Sequence, residues 1–246
     1  MINNNKTDIE KSEKQIDANS ANNKEKIYLS KEYYVNAAIE NFRTTSRTAH
    51  GVIDVSASPD KSSKMNQSLM PEAIAKLAES NFIKVIDYAY NHRDDSFVEP
   101  EKLREFVDYM AKQINTGILK NDKLIREGDD SLKYPYTKIK DLFGAMIEFY
   151  KEFVIKLNDP KNNPIELAAW VEYRIDLTDH FFGDGCGKVA KAVGAWTLMK
   201  NNHNLPKYRS RKELYDYAPK QIRGINKQIE IDQYQKWLNY YKTLFS

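Results

Sequence analysis

The stretch His180-Phe181-Phe182-Gly183-Asp184-Gly185-Cys186-Gly187-Lys188-Val189-Ala190-Lys191 constrains this chain more than any other. Ahead of it, residues 164–178 carry apolar side chains at helical spacing and deliver His180. Beyond it, Val189, Val193, Trp196 and Leu198 predict a second helix starting near Gly187. A glycine-punctuated loop that opens onto a helix gathers backbone N–H groups with no partner inside the helix, at the positive end of its dipole. Gly185 and Gly187 let a phosphate approach the backbone closely, and Lys188 and Lys191 add positive charge. Asp184 has the chemistry to hold a divalent metal bridging phosphates. His180 is placed to take a proton from an attacking hydroxyl. Together these residues read as a site for phosphoryl or nucleotidyl transfer. The plainer alternative is a capped helix start beside a packed histidine. The glycines argue against it, because they are unfavourable just before a helix unless the backbone is needed there.

The rest of the chain reads as a mostly α scaffold for that site. With 246 residues the chain is long enough to bury a real core. Residues 1–26 are Asn, Lys, Glu and Ser with isolated Ile, too polar to pack, and are expected to be a disordered lead-in to one domain spanning 27–246. Ser30 is a candidate N-cap for a short helix over 30–42. Pro71, Pro100 and Pro164 each stand where a helix can open, giving expected helices over 71–90, 100–115 and 164–178. Residues 138–157 form a strongly amphipathic pattern expected to be core throughout, and 226–244 a last helix. Residues 44–68 read as a loop with one short apolar patch at 51–55. Between 116 and 136 two short segments flank Arg126-Glu127-Gly128-Asp129-Asp130, with the Gly and Asp of a hairpin turn, or else form a plain connecting loop.

Several function classes are excluded or disfavoured. The 38 Lys and Arg are interspersed with 35 Asp and Glu for a net charge of +3, so no basic stripe for nucleic acid stands out. The single cysteine, Cys186, excludes a disulfide framework. No apolar run approaches membrane-spanning length and the amino terminus lacks a hydrophobic signal region, so a cytoplasmic chain with no membrane partner is expected. Export by a signal-independent route and a homo-oligomeric state are both left open.

The central stretch resembles the signature of the Fic (filamentation induced by cAMP) domain, H-x-F-x-D/E-G-N-G-R-x-x-R. His180, Phe182, Asp184, Gly185 and Gly187 match it in type and spacing. The resemblance implies a Fic-like helical core over about 100–210 with a small β-hairpin flap. It implies transfer of AMP from ATP to a hydroxyl side chain of a target protein. In that reading His180 is the base, Asp184 holds Mg2+, and Gly185, Cys186, Gly187, Lys188 and Lys191 hold the nucleotide phosphates. Phe182 anchors the loop, and the flap residues Leu124, Ile125 and Arg126 align the target by strand addition. The segment 36–41, ending in Glu40-Asn41, is similar to the family's inhibitory S/T-x-x-x-E-G/N, here with Asn36 in the leading position. That likeness implies that a helix over 27–43 places Glu40 on Lys191, in the space of a γ-phosphate.

The signature is also altered. Cys186 stands for Asn, and Lys188 and Lys191 stand for Arg. A thiol is a weak donor to a phosphate oxygen, and Lys cannot make the forked contact of Arg. Each weakened charge-assisted bond costs roughly 1.5–3 kcal/mol. Three other readings therefore stay open beside AMP transfer: a transferase using another nucleotide or phosphodiester donor, a catalytically silent anion-binding scaffold, and a protein-interaction module.

Overall fold

The computed structural model describes residues 28–50, 70–118, 124–129, 134–183 and 185–245. Eight α-helices account for most of them: α1 (Lys31–Thr45), α2 (Pro71–Asn91), α3 (Pro100–Asn115), α4 (Ile139–Asn158), α5 (Pro164–Glu172), α6 (Cys186–Lys200), α7 (Arg211–Asp216) and α8 (Lys227–Thr243). The mostly α class read from the sequence holds. Ser30 caps α1 by accepting from Tyr33 N, and Asn163 and Asn226 cap α5 and α8 the same way. Proline opens α2, α3 and α5, as its fixed φ and missing N–H allow.

Helix α6 is the centre of the fold. Its residues 188–190 and 192–199 are buried, and it packs against α5, α2, α3 and α1. A helix apolar on every side belongs in the interior. Trp196 is fully buried, packs tilted against Phe106 and edge-on against Phe97, and donates its indole N–H to His92 O at 3.0 Å. Truncating it to Ala would cost about 3–5 kcal/mol. Helix α8 is fastened to α5 by Trp237, whose indole N–H donates to Ala169 O at 2.8 Å. Helix α1 is fastened by Asn41. Its amide donates to Pro206 O at 2.7 Å and accepts from Tyr208 N at 3.1 Å.

Three sequence expectations change. The hairpin flap is not seen: among the described residues there is no sheet, and 119–123 and 130–133, where its arms would lie, are outside them. What is described is one isolated antiparallel bridge between Ile125 and Phe182. Helix α4 is not core throughout, because Phe143 and Ile147 are 62% and 40% exposed while Met146, Phe149 and Phe153 are buried. The helix over 164–178 does not run regularly either. After α5 the backbone widens into a π-helical turn, Tyr173–Thr178. The expected lead-in (1–26) and the apolar patch at 51–55 lie outside the described residues.

Candidate functional site

The site is built where the π-turn ends and α6 begins. A π-turn adds a residue to the helical repeat and re-aims the side chains after it. It brings Asp176 inward and sets the loop on which His180 adopts a left-handed backbone, φ 51°. Such a conformation is strained for a non-glycine residue and persists only when its surroundings fix it. Arg126 provides that fixation. Its buried guanidinium donates to His180 O at 3.0 Å and to Gly128 O at 3.0 Å, and it also donates to Thr137 O. The backbone completes the brace, with Arg126 N donating to Phe181 O and Gly183 N to Leu124 O, both at 3.0 Å. Asp179, fully buried, accepts from Arg174, Arg223 and Thr137 and locks the other side of the turn.

The His180 ring lies flat on Tyr136, centroids 4.2 Å apart and planes within 15°. Its Nδ1 is 3.0 Å from Asp176 O and 3.5 Å from Asp176 Oδ1. Burial opposes its protonation, but Cys186 and Asp176 outweigh that and hold the imidazole pKa well above its ordinary value. The Cys186 thiol also donates to Ile175 O at 2.9 Å. Burial likewise pushes Asp176 up. The hydrogen bond and charge of His180, then Lys191 and the Tyr215 hydroxyl at 3.1 Å, prevail and hold the carboxyl below its ordinary value.

Gly185 ends the loop with φ 74° and Cys186 is the first residue of α6. A Cβ on Gly187 would stand 3.0 Å from Asp176 Oδ2, so that carboxylate lies against the start of α6. Lys188 is buried and its ammonium donates to Thr48 Oγ1 at 3.1 Å, on the short 3₁₀ turn Arg47–His50. Lys191 is half-buried with its ammonium 4.8 Å from the centre of the Tyr208 ring. It borders a small pocket with Asn41, Phe82, Glu172, Pro206 and Tyr208.

The structure thus joins His180, Phe182, Gly185, Cys186 and Gly187 with Leu124, Ile125 and Arg126 across one loop junction. Phe182 is buried as an anchor should be. Arg126 is a buried brace, and its backbone N–H bonds Phe181 O beside the Ile125–Phe182 bridge. Glu40 is exposed, and among the described residues no ion pair joins it to Lys191. The buried carboxylates that Lys191 acts on are Glu172 and Asp176. Asp184, the expected metal ligand, lies outside the described residues. Sequence reasoning missed Asp176, the stacking of Tyr136 on His180, and the hold of Tyr215 on Asp176. The only signal for Asp176 was an acid spaced four residues before His180.

No protein-family model matches this chain, and no curated protein does. Among solved structures, it is similar to a Fic domain containing signaling protein from Bacteroides thetaiotaomicron VPI-5482. That likeness has 12% identity and a TM-score of 0.65, covering 87% of this chain and 86% of the other. It is also aligned with Fic-1 (residues 134–508) from C. elegans, at 15% identity and a TM-score of 0.44, covering 87% of this chain and 68% of that one. The signature at the start of α6 and a matching fold over most of both chains agree: this chain has a Fic-like fold.

Proposed function

We propose that this chain is a protein AMP-transferase, moving AMP from Mg·ATP to a hydroxyl side chain of a target protein. One observation carries the reading: His180 is pinned by Arg126, Tyr136 and Asp176 directly before the N-terminus of α6. A base held rigidly beside an anion-binding helix start is what displacement at a phosphorus atom needs. In its neutral form His180 takes the proton of the target hydroxyl, whose oxygen attacks the α-phosphorus, and pyrophosphate leaves. The N–H groups at the start of α6 receive the phosphate charge, with Lys191 beside them. Mg2+, with Asp184 as its expected ligand, supplies charge neutralisation on the phosphates when bound. The target backbone adds to the edge of 124–126 away from Phe182.

A second reading, a catalytically silent scaffold of the same fold, is favoured by one feature. The Asp176 carboxylate already lies against the start of α6, and Lys188 is drawn onto Thr48. Both weaken a phosphate site. The two readings separate in one experiment. Incubation with a cell lysate and ATP labelled at the α-phosphate should label a protein, while γ-labelled ATP should not. His180→Ala should lower that labelling by roughly a hundredfold while keeping nucleotide binding. No α-label transferred, with Mg·ATP still bound, would leave the silent scaffold.

A further inference from the structure

We propose that Asp176, His180 and Cys186 form a binding site for a thiophilic divalent cation of the Zn2+ type. One carboxylate oxygen, one imidazole nitrogen and one sulfur of these residues lie within 4.8 Å of one another. In a tetrahedral Zn2+ site, metal–ligand bonds of 2.0–2.3 Å put the ligand atoms about 3.3–3.8 Å apart. The cluster is therefore within side-chain rotation of closing on an ion. Asp176 lies on the π-turn, His180 just beyond it, and Cys186 opens α6.

The donor set selects the ion. Mg2+ and Ca2+ take oxygen ligands, whereas sulfur, nitrogen and oxygen together suit Zn2+ or Co2+. A thiolate and a carboxylate also balance the charge of a divalent ion, so the loaded cluster is neutral. That matters at buried positions, where an unbalanced charge is strongly disfavoured. Binding requires the Cys186 thiol to give up the proton it now donates to Ile175 O. That proton leaves to solvent and the sulfur lone pair goes to the metal. The Tyr215 hydroxyl on Asp176 Oδ2 supplies the outer hydrogen bond that usually orients a ligating carboxylate. Three protein ligands leave a fourth position for water. The site stands whether or not the chain transfers AMP.

The test uses the full chain stripped of metal and titrated with Co2+. Because Cys186 is the only cysteine, a thiolate-to-cobalt charge-transfer band can come from no other residue. The expected result is such a band saturating at one equivalent, bleached by Zn2+ added in competition. Cys186→Ser should abolish the band and weaken Zn2+ binding at least tenfold, and Asp176→Asn should weaken it about tenfold. His203→Gln, away from the cluster, should bind as the natural chain does. Absence of the band, or Zn2+ affinity unaltered in Cys186→Ser, would overturn the site. The band of the natural chain decides the matter even if the variants fold poorly.

Discussion

Two acids on the same stretch of chain, Glu172 and Asp176, are both buried and behave in opposite ways. Glu172 faces two phenols, accepting from Tyr241 at 2.8 Å and from Tyr208. Burial raises its carboxyl to about 6 against the opposing effect of Lys191 and of those two hydrogen bonds. Asp176 suffers the same burial, yet His180 holds it below its ordinary value. Neutral donors soften the loss of water around a carboxylate. Lys191 opposes burial at both acids, and it is the added hydrogen bond and charge of His180 that reverse it at Asp176. One end of the stretch is therefore a structural clasp that gathers α8 and the segment at Tyr208. The other end is poised for chemistry.

The largest expected effect comes from removing the charge at the reactive end. Asp176→Asn should lower kcat for transfer by on the order of a hundredfold, because a neutral amide no longer sustains the basicity of His180. It should at the same time raise Mg·ATP affinity severalfold, since a negative charge leaves the start of α6. A parallel fall in both, measured by single-turnover kinetics and calorimetry, would mean that Asp176 only holds the fold.

The next effect concerns Glu172 and pH. Its folded pKa lies above the ordinary value of 4.5, so its stabilising contribution is full below pH 4.5 and is lost as pH rises through about 6. That loss amounts to about 2 kcal/mol, each tenfold gain in proton affinity being worth roughly 1.4 kcal/mol. Asp176 has the opposite sign: its contribution is present above the ordinary carboxylate range and disappears in acid. Denaturant titrations at a series of pH values should therefore show Glu172→Gln gaining stability on the natural chain between pH 4.5 and 7. A constant difference across that range would sink the assignment.

Lys191 acts on both acids. Lys191→Gln should move the Glu172 transition to higher pH and cost less than about 1 kcal/mol at neutral pH, the usual size for a partly exposed charge. The smallest effect is expected of Glu40→Gly. The family resemblance implies that it releases an inhibited nucleotide site, but the side chain here is exposed and, among the described residues, no ion pair joins it to Lys191. Mg·ATP affinity should change less than twofold, and a larger gain would restore the inhibitory helix.

The helices were legible because their signals are local: prolines at first turns, Ser and Asn caps, and apolar spacing. The reactive loop was legible because its residues are contiguous. What failed to show were partners from elsewhere in the chain. Tyr136 and Tyr215 are ordinary aromatics until the fold sets them against His180 and Asp176. Arg126 read as part of an exposed turn, since nothing local reveals that carbonyls of residues 137, 179 and 180 converge on it. Phe143 and Ile147 erred the other way. Helix α4 is apolar over more than its packed face, and spacing alone does not say which part of a wide stripe is covered.

The Arg126 brace has a consequence for motion. It ties a segment to a loop about fifty residues further along the chain, by two reciprocal backbone hydrogen bonds and one guanidinium. Neither partner can open alone without stranding buried donors. The amides of Arg126 and Gly183 should therefore exchange with deuterium at matching rates, as one cooperative unit, rather than as two independently breathing loops. If a target strand adds to that segment, the loop that carries His180 tightens in the same event, so recognition and activation of the base become a single equilibrium.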